Sequence, residues 1–246
     1  MKINYIYIGN LKIEYTTLGK GDDLLFLHGA GANIRNNKLL LLSLSKHFRV
    51  WALSLPGAGK SSNLPKMWNF SDYSRIINLF CNSFKIKPFI AGHSLGGAIA
   101  ISIKANFPKK YKNIILISSA GIHQKRPNKV ILRVVVNSMR DLLKIHNWKQ
   151  GIAYNAVLNI FYHPIDMIRI ALIFRKTDLE DDIKKIQERV LILWGKDDDT
   201  LPISQLDIFK KLLKDKKVYV FKGSHNFLSF KNEEIADIIH QELKVD

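Results

Sequence analysis

Residues 88–100 read PFIAGHSLGGAIA, and this stretch decides the fold. An apolar run, 88–92, leads without a spacer into 95–107, a helical stretch rich in small residues that Pro108 ends. Between them Ser94 stands in the spacing Gly92-His93-Ser94-Leu95-Gly96, a G-x-S-x-G pattern at a strand-to-helix turn. The spacing has a steric cause. A serine lifted onto so tight a turn takes a strained backbone conformation, and a side chain two residues to either side would crowd it. The turn exposes the hydroxyl, and the helix that follows aims its unpaired N–H groups at any negative charge formed there. Ser94 is therefore the candidate nucleophile, with the Leu95 N–H as a candidate donor to an oxyanion.

A serine needs a base at neutral pH. Of the eight histidines, His225 lies in Gly223-Ser224-His225-Asn226, just beyond an apolar strand pattern at 217–221. That places it at the carboxyl edge of the strands, where sites in parallel sheets form. His123, His146 and His163 fall in a helical region, and His47 and His240 on helix surfaces. A carboxylate must orient the imidazole. The run Trp194-Gly195-Lys196-Asp197-Asp198-Asp199 follows strand 190–194 and offers three candidates. A second oxyanion donor is expected from the loop His28-Gly29-Ala30-Gly31, with the Ala30 N–H best placed.

Outward from this centre, strand and helix patterns alternate. Residues 3–8 and 11–17 form a hairpin about Gly9-Asn10, and 24–28, 49–55, 113–118 and 190–194 are further strands. Helices are expected at 35–46, at 72–84 with Ser71 or Asp72 as cap, at 203–214 and at 231–243. The fold class is α/β: a mostly parallel eight-stranded sheet covered by helices on both faces. Residues 1–122 and 189–246 form the core. Residues 123–188 interrupt the alternation with apolar-faced helices such as IDMIRIALIF and are too long for a simple connection, so they read as a helical lid.

Composition narrows the function classes. The chain has 246 residues, 47% of them hydrophobic, enough for a sizeable core. One cysteine, Cys81, excludes an intramolecular disulfide and a four-thiolate metal site. The N-terminus alternates apolar and polar residues, unlike a leader peptide, and no stretch is apolar for 18 residues. The expectation is a cytoplasmic protein with no membrane span. The net charge is +17, concentrated in residues 1–122 and absent from 189–246, where acids and bases balance. It would attract an acidic partner, or it reflects only a lysine-rich composition. The lysines are not interleaved with aromatics, so no nucleic-acid partner is expected. Gly59-Lys60-Ser61 resembles the end of a phosphate-binding loop, but Ser54 stands where such a loop needs a glycine, and Pro65 closes off the helix that should follow.

Taken together, HGAG at 28–31, LPGAGKS at 55–61, GHSLGG at 92–97, WGKDDDTLP at 194–202 and GSHNF at 223–227 resemble the lidded, esterase-like members of the α/β-hydrolase superfamily, in that family's order over nearly the whole chain. The resemblance implies Ser94, Asp198 and His225 as the catalytic groups. It also implies a lid after the sixth strand, and chemistry on carboxylic esters or thioesters that needs no cofactor or metal. Amide or carbon–carbon hydrolysis, acyl transfer, or a purely binding role use the same framework. The expected substrate is a small ester with an apolar acyl part, and an acidic carrier protein is a candidate partner. The family's Asp before LPG and His within it are Ser54 and Ala58 here, so packing beneath the nucleophile should differ.

Overall fold

The structure, a computed structural model, describes residues 1–123, 158–159 and 161–244. Strands β1 (Asn4–Ile8) and β2 (Leu11–Leu18) form the expected hairpin, with Gly9 at φ 58 in the turn. Glycine at the first central position is what a two-residue turn of this hand requires. The remaining strands are β3 (Asp23–Leu27), β4 (Arg49–Leu53), β5 (Phe89–His93), β6 (Ile114–Ile117), β7 (Val190–Gly195) and β8 (Lys216–Phe221). They form one eight-stranded sheet in the order β1-β2-β4-β3-β5-β6-β7-β8. It is antiparallel only where β2 meets β1 and β4. The chain steps from β3 to β4 on one side and returns to β5 on the other, so the strand order reverses at β3. A crevice opens beyond the carboxyl ends of the strands at such a reversal, and Gly29 and Ser94 both lie there.

The two faces of the sheet are buried by alternation along each strand. Leu24 and Phe26 of β3 face one core with Val50, Ala91 and Ile115, closed by α1 (Lys38–Leu44) and α7 (Asn232–Leu243). Leu25 and Leu27 face the other with Ile90, Leu116 and Trp194, closed by α2 (Phe70–Ser83), α3 (Leu95–Asn106) and α6 (Ser204–Leu212). Helix α3 is buried on nearly every side, which suits its small and apolar residues. Its one lysine, Lys104, is 2% exposed yet fully engaged: Nζ donates to the Pro108 and Tyr111 carbonyls and pairs with Glu188 at 2.8 Å. Cys81 is buried within α2.

Two boundaries depart from the sequence expectation. The cap of α2 is Asn69, not Ser71 or Asp72. Asn69 Oδ1 accepts from the Asp72 N–H at 3.0 Å while Asp72 returns a carboxylate to the Asn69 N–H at 2.9 Å, so Asp72 acts as the far half of a capping box. The helix expected at 35–46 opens as a tighter turn, Ile34–Asn37, capped by Asn33, before α1 begins. Of the stretch expected as a lid, 124–157 and residue 160 lie outside the described residues. The rest supplies α4 (Pro164–Arg175) and α5 (Glu180–Lys185). Both join the core, α5 through Ile183 against α3 and α6 and α4 through Ile170, Ile173 and Phe174, and α4 also reaches over loops at the carboxyl edge of the sheet.

Gly96 lets α3 lie against β3, because a Cβ there would collide with the Leu27 carbonyl. Gly96→Ala should therefore lower unfolding stability by about 3 kcal/mol, the upper range for overpacking a tight core. A urea denaturation curve would show this as a lowered midpoint.

Candidate active site

The site is assembled at the end of β5. Ser94 adopts φ 52 and ψ −114 as the residue that caps α3, a conformation costly for any residue with a side chain. Its backbone is held on all sides: its N–H donates to Ile117 O at 3.0 Å, and its carbonyl accepts from Gly97 at 3.0 Å and Ala120 at 3.1 Å. Gly92 and Gly96 are required here, since a Cβ on Gly92 would meet the Gly96 carbonyl. The Leu95 N–H is the first of α3 and has no carbonyl within its own helix to satisfy it.

His225 and Asp198 meet at the same edge, from the loops after β8 and β7. His225 Nδ1 lies 2.7 Å from Asp198 Oδ2. The other carboxylate oxygen, Oδ1, accepts from the Thr200 N–H at 2.9 Å and the Leu201 N–H at 2.8 Å. Burial pushes the Asp198 carboxyl up, but the His225 ring, the Leu201 N–H and the Ser118 hydroxyl outweigh it and hold the pKa below the usual carboxylate range. An ionised Asp198 makes His225 Nδ1 the donor, which leaves Nε2 with its lone pair. Of the three sequence candidates only Asp198 reaches the imidazole. Asp197 and Asp199 are exposed, and Asp197 bonds instead to the Gly223 N–H at 3.2 Å. Gly195 lets the loop carrying His225 come this close, for a Cβ there would lie 2.6 Å from Ser224 O.

Two further histidines, not singled out from sequence, hold the parts together. His93, next to Ser94, donates from Nε2 to the His225 carbonyl at 3.1 Å, and the two rings lie 4.8 Å apart. This contact ties the loop carrying His225 to the residue next to Ser94. His28 ends β3. Its Nε2 accepts from the Leu55 N–H at 2.9 Å, so its proton sits on Nδ1 and is donated to Gly29 O at 2.8 Å. Gly29 O also accepts from the Ala32 N–H at 3.2 Å, closing a turn with Gly31 at φ 71. With that carbonyl anchored inward, the Ala30 N–H of the same planar peptide must point the opposite way. Gly29 in turn packs against Ser94, since a Cβ on Gly29 would stand 3.2 Å from the Ser94 Cβ. Sequence carried a signal for His28, an imidazole ending an otherwise apolar strand.

Ser54, where the resemblance led one to expect an Asp, donates to Glu14 Oε2 at 2.7 Å. Glu14 is fully buried in β2 and also takes Arg35 Nη2 at 2.8 Å and the Lys60 N–H at 3.1 Å. A carboxylate thus serves this loop from another strand. An imidazole reaches it as well, from His163, whose Nε2 lies 3.0 Å from Gly59 O. Beside these loops Lys12, Arg35, Lys60, Asn159 and Tyr162 line a cavity of about 590 Å³. No group of three or more His, Cys, Asp or Glu side chains among the described residues could hold a metal ion. No helix among them is long and apolar enough to cross a membrane.

Burial drives the pKa of His28 down to about 4 and that of His93 down to about 3, in the latter case with help from the neighbouring His225. Both are neutral in the folded protein, whereas the unfolded chain protonates each imidazole below about 6.5. Folding stability therefore falls as pH drops from about 6.5 toward 4. His28→Gln should remove about 3 kcal/mol of that loss, read as a shallower dependence of unfolding free energy on pH over that interval.

Comparison with known proteins agrees with this architecture. Residues 23–143 match the family model described as the alpha/beta hydrolase fold. The chain is 30% identical over 235 residues, spanning 85% of it and 88% of the relative, to the pimeloyl-[acyl-carrier protein] methyl ester esterase of Wigglesworthia glossinidia brevipalpis. It is 24% identical over 236 residues, 88% of this chain and 81% of the relative, to the 2-hydroxy-6-oxo-6-(2'-aminophenyl)hexa-2,4-dienoic acid hydrolase of Metapseudomonas resinovorans. Among solved structures, a bacterial membrane phospholipase A superposes with a TM-score of 0.86 at 23% identity, over 99% of this chain and 86% of that one. Sheet order, the turn at Ser94 and these matches along the chain lead to one conclusion: the protein belongs to the α/β-hydrolase superfamily of enzymes.

Proposed function

We propose that the protein is a serine hydrolase of carboxylic esters, working through an acyl-enzyme on Ser94. The observation that carries this reading is the 2.7 Å bond between His225 Nδ1 and the ionised Asp198, at the edge where Ser94 stands on its strained turn. In this mechanism His225 Nε2 takes the Ser94 proton as the hydroxyl oxygen attacks the acyl carbon. The carbonyl π pair moves onto oxygen, where the Ala30 and Leu95 N–H groups stabilise it. His225 then gives the proton to the departing alkoxide. A water, deprotonated by the same imidazole, releases the acid and restores Ser94. Asp198 fixes the tautomer and stabilises the imidazolium. No metal or cofactor enters these steps. The stretch expected as a lid, residues 123–188, is proposed to cover the acyl part of the substrate.

The ester is proposed to be small or chain-like with an apolar acyl part, presented on an acidic acyl carrier protein. The esterase relative named for an acyl-carrier-protein ester supports this, as do the net charge of +17 and the cations Lys12 and Lys60 at one cavity beside the site. Such a field speeds encounter with an acidic partner more than it deepens binding.

A panel of p-nitrophenyl esters from acetate to palmitate, with a fluorophosphonate probe, tests the chemistry. Wild-type protein should hydrolyse part of the panel and take the label. Ser94→Ala should do neither, and Asp198→Asn should lower kcat by about 10⁴-fold. Labelling of the Ser94→Ala variant at wild-type rate would remove the nucleophile assignment. The carrier reading is tested by salt: raising ionic strength should lower kcat/KM for a carrier-bound ester several-fold and leave a free methyl ester unchanged. Equal salt response for both substrates counts against an acidic carrier.

A further inference from the structure

Asn159 lies in a helical turn just ahead of α4, and its side chain reaches back into the sheet's carboxyl edge. It is 2% exposed. Its Nδ2 donates to Gly31 O at 3.0 Å and Ala32 O at 2.8 Å. Its Oδ1 accepts from the Gly59 N–H at 2.9 Å and from Asn33 Nδ2 at 3.4 Å. The carboxamide thus spends its whole hydrogen-bonding capacity on two loops of the core, and three of its four partners are backbone groups.

Two of those partners belong to the turn that carries the Ala30 N–H. His28 and the Ala32 N–H anchor the Gly29 carbonyl at the front of that turn, and Asn159 anchors the Gly31 and Ala32 carbonyls at its back. With the Gly29 carbonyl held on one side and the Gly31 and Ala32 carbonyls on the other, the Gly29–Ala30 peptide beside Ser94 is restrained against rotation. The surrounding segment reinforces the clamp. A Cβ on Gly31 would meet the Met167 methyl at 3.5 Å, so α4 covers the turn directly. Asp166 takes the Leu64 N–H at 3.1 Å, and Arg169 donates to Leu64 O and to Asp166.

We propose that Asn159 is a positioning residue for oxyanion stabilisation: it clamps the Gly29–Ala32 turn from the inserted segment, so that seating of this segment on the core aims the Ala30 N–H. This rests on the serine-hydrolase reading above. All four hydrogen bonds of the Asn159 side chain go to the protein itself. The residue acts through Ala30, and its effect belongs to the transition state, where the oxyanion exists, rather than to the ground state.

The test uses Asn159→Asp, which keeps the volume but replaces the two donors by a carboxylate facing two carbonyls, and Asn159→Ser, which keeps one donor and carries the test should the aspartate variant fail to fold. On the best ester of the panel, kcat should fall about 10- to 100-fold, the scale for a displaced or lost oxyanion donor, with KM changed less than about three-fold. A trifluoromethyl ketone matching that ester separates positioning from simple damage. It accepts a Ser94 Oγ–C bond, its carbonyl becomes an oxyanion, and the serine proton passes to His225. Its affinity should weaken by the same factor as kcat, while the matching secondary alcohol, which forms no oxyanion, binds the variants as it binds wild type. Unchanged kcat and ketone affinity in a folded variant would overturn the clamp, and so would equal losses for ketone and alcohol. Failure of the underlying reading looks different: wild type would then bind the ketone no better than the alcohol, or Ser94→Ala would keep the ketone's advantage.

Discussion

Everything at the carboxyl edge depends on how closely α3 approaches β3 and β5. That approach exists only because Gly92 and Gly96 present no side chain to the Gly96 and Leu27 carbonyls. It forces Ser94 into a backbone conformation that costs on the order of 1–3 kcal/mol, repaid by buried α3 packing and by four hydrogen bonds to the Ser94 backbone. The strain is thus held by the core, and the backbone sets the direction in which the Ser94 Cβ leaves the turn.

The same edge uses three imidazoles in three distinct ways, and their partners decide which. His28 stands between an N–H and a carbonyl, so it is a neutral strut with its proton on Nδ1. His93 gives its Nε2 proton to a carbonyl and is kept neutral by burial. His225 alone faces a carboxylate, and a carboxylate is what lets an imidazole accept a proton without leaving an unpaired charge. The difference in role follows from the second group each ring meets, not from the ring itself.

The parts of this arrangement that sequence exposed are those built by local backbone constraint. A glycine two residues either side of a serine, alternation along β3 and β5, and a Pro after α3 each act within a few residues, so they leave a local trace. The fold class followed from them, and so did the positions of Ser94, the Asp197–Asp199 run and His225. What escaped notice was built by contacts across the chain. Asn159 meets Gly31 from 128 positions away, and Glu14 meets Ser54 from 40 away. Nothing near either residue announces its partner. The α2 cap shows the same limit on a smaller scale: Asn69 and Asp72 act as a pair, and judging Ser71 or Asp72 singly missed the reciprocal bond.

The lone thiol has a practical consequence. Cys81 is sealed inside α2, and burial pushes it up to about 12, so hardly any thiolate exists near neutral pH. Maleimide and iodoacetamide dyes attack thiolates, and the native chain therefore offers them no competing thiolate near neutral pH. One cysteine introduced anywhere on the outside can be tagged alone, without first removing the native one. The fold comes supplied with a silent background for fluorescence, spin-label or surface-immobilisation work.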